Sequence, residues 1–167
     1  HYSHKPDDDG SLSNSYIRAL AKDGHGNLWV GGGRRQLDKL NPATGTVTHH
    51  GKMLGAAPKR VLSLARAGQH GLWIGTGGTL GLLDHGHLRK ISIPVHRSGY
   101  RRMISDAAGN LYVAPIGRGL YRVDRRSLHV EPVQLAFAGS KDKDMQTTDL
   151  IMHGGRLWRS SHAGLSY

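Results

Sequence analysis

An internal repeat constrains this chain more than any other feature. IRALAKDGHGNLWVGG runs from Ile17 to Gly32, VLSLARAGQHGLWIGT from Val61 to Thr76, and YRRMISDAAGNLYVAP from Tyr100 to Pro115. A fourth copy, shorter by one residue, reads TTDLIMHGGRLWRSS from Thr147 to Ser161. The aromatic anchors Trp29, Trp73, Tyr112 and Trp158 follow one another at spacings of 44, 39 and 46 residues. An apolar residue stands nine positions before each anchor, eight in the shortened copy: Leu20, Leu64, Met103 and Leu150. A period of about 40–45 residues is one supersecondary unit repeated, and it decides the architecture before any single residue does.

Each unit reads as short strands joined by tight turns. Ile17 to Ala21 is a strand, Asp23-Gly24-His25-Gly26-Asn27 a turn, and Leu28-Trp29-Val30 the return strand. Gly and Asn accept the positive backbone angles such a hairpin needs. A third strand spans Gln36 to Leu40, Asn41-Pro42-Ala43-Thr44-Gly45 turns the chain, and Thr46 to His50 is a polar fourth strand. Strands one and two are apolar on both faces, as in sheets covered on both sides. The fourth strands carry Thr48, His49, His50, Arg89, Lys90 and Glu131, the charged edge expected at a rim. Four antiparallel strands per period make one propeller blade. The expected fold is therefore all-β: a β-propeller of about four blades, with residues 12–59, 60–98, 99–145 and 146–167 as successive blades, the last with three strands. Residues 1–11 are expected to hold the rim strand of a preceding blade, at His1–His4, and a turn. The chain is then a slice of a larger ring, or His1–His4 completes the last blade and four blades close.

Composition removes other classes. The 167 residues include 24 Gly, and Glu131 is the single Glu. Long runs of good helix formers are missing, which excludes a helical bundle or coiled coil. No apolar run approaches the ~20 residues of a membrane-spanning helix. The absence of Cys excludes a disulfide scaffold, a zinc finger and a thiol nucleophile. The formal charge of +11 invites a polyanionic partner, but the cations are dispersed instead of forming a stripe, so no specific nucleic-acid binding is expected.

Catalytic and metal constellations are not legible. His49-His50 sits on a strand, where neighbours face opposite ways and cannot share an ion. His85-Gly86-His87 lies in a turn, with no third ligand indicated by spacing. Asp23 to Asn27 lacks the carboxylate that a calcium loop would place at Arg34. Gly75, Gly77, Gly78 and Gly81 open no helix and so make no phosphate cradle. No catalytic residue, metal or cofactor is assigned. The anchors are large rings filling the gap between blades. A ligand site, if the fold carries one, lies where the strand entries converge at one channel mouth: Tyr16, Lys59, Arg60, Tyr100 and Gln146, with Gly99 beside them. Arg60 suits a carboxylate or sulfate and the tyrosines an apolar or sugar face.

SLSNSYIRALAKDGHGNLWVGG, followed by LDKLNPATGTVTHH, resembles the two-component regulator propeller repeat. Ser11, Leu12, Ser13, Ile17, Asp23, Gly26, Asn27, Leu28, Trp29, Val30, Gly31, Leu37, Asn41, Pro42, Thr44 and Gly45 fit its pattern. Gly71 to Thr76 fit it in the second copy, Asp106, Gly109, Asn110, Leu111, Gly119, Leu120 and Asp124 in the third, and Leu157, Trp158, Gly164 and Leu165 in the fourth. Tyr112 and Ala114-Pro115 depart from it. The resemblance implies a periplasmic, non-catalytic sensor segment of a bacterial membrane receptor, with a histidine kinase or diguanylate cyclase as output. The partners implied are a small anionic or sugar-like ligand and a second receptor copy. Two other classes remain open: a propeller enzyme similar to streptogramin lyases, and a protein-binding scaffold.

Overall fold

The computed structural model describes residues 1–55, 60–94, 99–116, 119–134, 146–162 and 164–167. They form four antiparallel sheets, each wound in sequence order. Blade 1 holds β1 (Ile17–Lys22), β2 (Leu28–Gly32), β3 (Leu37–Leu40) and β4 (Val47–His49). Blade 2 holds β5 (Val61–Ala67), β6 (Gly71–Thr76), β7 (Leu80–Asp84) and β8 (His87–Ile91). Blade 3 holds β9 (Tyr100–Ser105), β10 (Leu111–Pro115), β11 (Tyr121–Val123) and β12 (Val130–Pro132). Blade 4 has three strands, β13 (Thr147–His153), β14 (Arg156–Ser161) and β15 (Gly164–Ser166). One 3-10 turn, Gly51–Leu54, is the only helical element among the described residues.

The blades stack through apolar clusters that alternate along the chain. Trp29 and Leu37 of blade 1 pack with Val61, Leu64, Leu72 and Ile74 of blade 2. Trp73, Leu80 and Leu82 of blade 2 pack with Leu111, Val113 and Val123 of blade 3. Ala114 and Leu120 of blade 3 pack with Leu150 and Leu157 of blade 4. Trp29, Trp73 and Tyr112 therefore face the next blade. Gly75 marks how closely the blades approach: a Cβ there would lie 2.8 Å from the carbonyl oxygen of Tyr100. A backbone that comes this near leaves room for no side chain.

The first blade corrects two expectations. His1–His4 forms no strand. Residues before β1 instead lie against the outer face of blade 1, where Leu12 joins Val30, Leu40 and Val47 in a separate cluster. Strand one is also not apolar-covered on both faces, since Ile17 and Leu20 are exposed. A buried carboxylate fastens the N-terminal segment. Asp38 accepts hydrogen bonds from the Ser13 backbone N–H at 2.9 Å and the Ser13 hydroxyl at 2.8 Å. It also faces His49 Nδ1 at 2.8 Å, and His49 Nε2 lies 2.9 Å from the Asp9 carbonyl oxygen. Donating from both ring nitrogens requires the imidazolium. The Asp38 hydrogen bond accordingly raises the His49 pKa above its ordinary value, against the opposing effect of burial.

Candidate functional site: the channel wall and its mouth

All four innermost strands carry the same irregularity. The ladder slips between Ile17 and Ala19 in β1, between Val61 and Ser63 in β5, and between Thr147 and Asp149 in β13. In β9 the slip falls between Tyr100 and Arg102, opposite Ala114 and Pro115. The extra residue of each bulge is Arg18, Leu62, Arg101 or Thr148. A bulge leaves that residue outside the ladder. Innermost strands of adjacent blades lie against one another, β1 on β5, β5 on β9 and β9 on β13. A channel-wall cavity of about 240 Å³ opens along them, with Arg18, Leu62, Arg102, Met103 and Asp149 in its lining.

The wall is basic with an apolar floor. The Arg18 guanidinium donates to the Tyr16 hydroxyl at 2.7 Å and lies 4.9 Å from the centre of that ring. Arg102 donates from Nε to the Thr148 carbonyl. The same nitrogen lies 3.5 Å from Asp149 Oδ1, but both side chains are exposed, so that pair is weak.

At the mouth, Arg34 and Arg60 form an isolated antiparallel bridge that joins blade 1 to the entry of β5. Residues directly opposite on such a bridge project to one side, and like charges there oppose folding. Both are exposed, and neither pairs with a carboxylate among the described residues. Gln146, exposed at the entry of β13, lines a second cavity of about 170 Å³ with Arg102, Ile116, Thr148 and His162.

The expected site residues are thus divided. Tyr16 is 53% exposed and meets Arg18. Arg60 meets Arg34, and Gln146 shares a cavity lining with Arg102. Tyr100 is a correction: it is 6% exposed and belongs to the core between blades 2 and 3, where burial raises its phenol pKa. No ligand can stack on it there. The reason is register: Tyr100 takes the position of Val61, a core position ahead of the bulge. Gly99 is buried as well, and Lys59 lies outside the described residues. Reasoning from the sequence missed Arg18, Arg34 and Arg102. Arg18 and Arg102 sit two residues beyond Tyr16 and Tyr100. Arg34 follows Gly31-Gly32-Gly33 in a segment read as a plain turn, and no local signal tied it to Arg60.

Residues 11–34 match the family model of the two component regulator propeller. The chain therefore carries a two-component regulator propeller repeat, and its sheets are propeller blades. Among solved structures it is similar to the extracellular domain of the hybrid two component system BT3049 from B. thetaiotaomicron. The identity is 19% and the TM-score 0.72, over 98% of this chain and 22% of that one. It is also similar to the extracellular domain of BT4673 from the same organism, at 18% identity and TM-score 0.69, over 93% of this chain and 22% of that one. Virginiamycin B lyase from Staphylococcus aureus is similar at 14% identity and TM-score 0.66, over 94% of this chain and 51% of that one. The chain thus spans about a fifth of the length of the two extracellular domains, which makes it a slice of a propeller. No curated protein matches the chain as a relative.

Proposed function

We propose that this chain is a non-catalytic, ligand-sensing segment of a bacterial membrane signalling receptor, and that it acts in the periplasm. The regulator-propeller repeat and the likeness to extracellular domains of two component systems support the receptor context. The observation that carries the sensing role is the Arg34–Arg60 bridge. Two like charges held side by side weaken the fold, and an anion between them turns that repulsion into attraction. Guanidinium groups suit carboxylate and sulfate because their donors match two oxygens at once. Arg18 and the Tyr16 ring extend the surface into the channel, so the ligand class is an acidic sugar or a similar small anion. Binding would bias the receptor only by its differential affinity for two arrangements of the ring or its partner copy.

The lyase alternative needs a His and a metal on one channel face. Among the described residues, His162 lines the second cavity. The regulator-propeller repeat at residues 11–34 favours the sensing reading. The test is to titrate the chain with glucuronate and with sulfate, alongside an Arg34→Ala/Arg60→Ala variant of unchanged circular dichroism. The variant is expected to lose at least about tenfold in affinity for both anions, the equivalent of about 1.4 kcal/mol. Equal binding by the two proteins refutes the site, and unchanged ligand-dependent output from the receptor carrying both substitutions refutes the role.

A further inference from the structure

The opposite face of the blades, where the innermost hairpins turn, holds a different chemistry. His25 sits in the β1–β2 turn and His70 in the β5–β6 turn, and winding the chain into blades sets them face to face across the blade boundary. Nε2 of His25 lies 2.9 Å from Nδ1 of His70, with ring centroids 4.9 Å apart. His85, in the β7–β8 turn, places its ring 5.2 Å from that of His70. All three rings are exposed. A cavity of about 260 Å³ opens beside them.

Two imidazole nitrogens at this distance share one proton, so one of them presents a lone pair. A metal ion can take that proton's place. Metal–nitrogen bonds of about 2.0–2.1 Å from two rings to one ion hold the nitrogens at about 3 Å. The existing separation therefore has to change by only a few tenths of an ångström. Nearby charges do not forbid a cation. Lys39 at the cavity edge is countered by Asp23 at 3.5 Å. The Arg125 guanidinium is 3.7 Å from the Asp84 carboxylate. The Asp84 carboxylate also lies 3.1 Å from His85 Nδ1, so a negative charge stands beside the third ring.

We propose that His25 and His70 form a two-imidazole clamp for a divalent transition-metal ion, Cu²⁺ foremost, with His85 within reach as a third donor. Among the described residues no three His, Asp or Glu groups already surround one point, so the pair carries the site and water completes the coordination. Nitrogen donors select Cu²⁺, Ni²⁺ and Zn²⁺ and give nothing to Mg²⁺ or Ca²⁺, and the order of affinities puts Cu²⁺ first. The ion would tie blade 1 to blade 2 and so stabilise the native state by mass action. This site lies at the other end of the innermost strands from the Arg34–Arg60 mouth and does not depend on it.

The test titrates the full chain separately with CuCl₂, ZnCl₂ and MgCl₂. It follows tryptophan emission, because Trp29 lines the cavity, and the thermal midpoint. Parallel titrations use His25→Ala, His70→Ala and, as a control on another blade, His129→Ala. One equivalent of Cu²⁺ is expected to quench the emission and raise the midpoint, Zn²⁺ to bind more weakly, and Mg²⁺ to do neither. His25→Ala and His70→Ala should each weaken Cu²⁺ binding by at least about tenfold, with His129→Ala unchanged. Electron paramagnetic resonance of the Cu²⁺ complex should report two nitrogen donors, and one donor in either turn variant. Cu²⁺ affinity in the two turn variants equal to that of the parent, or a spectrum without paired nitrogen donors, overturns the proposal.

Discussion

Trp73 and Trp158 occupy the same place in their repeats and meet different fates. Trp73 is fully buried, and its indole N–H donates at 2.9 Å to the carbonyl oxygen of Gly109, in the hairpin turn of blade 3. Trp158 is half-buried and stacks on Tyr167 at 4.8 Å. Its indole nitrogen is shielded from water and finds no acceptor among the described residues. Around it Ile151 is 58% and Leu165 62% exposed. The difference teaches that an anchor is not finished by its own blade. The following blade supplies both the apolar wall and the turn carbonyl. An inner blade is saturated, and the last described blade shows an apolar face with a donor that finds no acceptor among the described residues.

The sharpest way to break this comparison is to remove each anchor. Trp73→Ala is expected to cost about 3–5 kcal/mol, the loss for a large buried ring, and Trp158→Ala well under half of that in this chain. Chemical denaturation of the two variants checks it. Equal losses mean that blade position does not decide what an anchor contributes.

Asp38 tests the other end, where the N-terminal segment does for blade 1 what a neighbouring blade would do. Asp38→Ala removes the buried carboxylate that accepts from Ser13 and His49, whose own side chains stay within reach of water, and should cost about 1.5–3 kcal/mol, the range for hydrogen bonds to a charged group. A loss below a few tenths of a kcal/mol in urea unfolding would show the segment to be unfastened. Gly75→Ala sits between saturated blades and forces a methyl against the Tyr100 carbonyl. Overpacking of this kind costs about 1–3 kcal/mol, read as a lower thermal midpoint, and Gly77→Ala, with open space around it, should cost less.

The pH dependence follows from the same latch. His49 has a raised pKa in the folded chain, chiefly from its hydrogen bond to Asp38. Its contribution is therefore fully present below the unfolded value of about 6.5 and is lost as pH rises through the folded value. Thermal midpoints taken upward from pH 6 should fall in the parent relative to His49→Gln, and parallel curves would remove His49 from the latch. The smallest effect belongs to the open face: Ile151→Thr should stay within about 0.5 kcal/mol, whereas a comparable change at Ile74, buried between blades 1 and 2, should not.

What the sequence determined by itself is local and periodic. The strands, the hairpin turns and the identity of the anchors follow from short-range rules: β-forming residues between Gly, Asn and Pro, with an aromatic ring once per period. Winding these units into blades follows from the period. Even Arg60 was legible, as a cation where a strand enters. The tertiary structure alone decided which residues from different repeats meet. A bulge has no letter of its own, because it is a slip between two strands, so Arg18 could not be placed on the channel wall from its neighbours in sequence. It likewise put Tyr100 in the core, since one residue of register exchanges the faces of a strand. Arg34 opposite Arg60, Ser13 and His49 on one carboxylate, and His25 against His70 are contacts between segments far apart in the chain. Their chemistry is set by ångström-scale distances that composition and spacing do not encode, and it comes into being only when blade packs on blade.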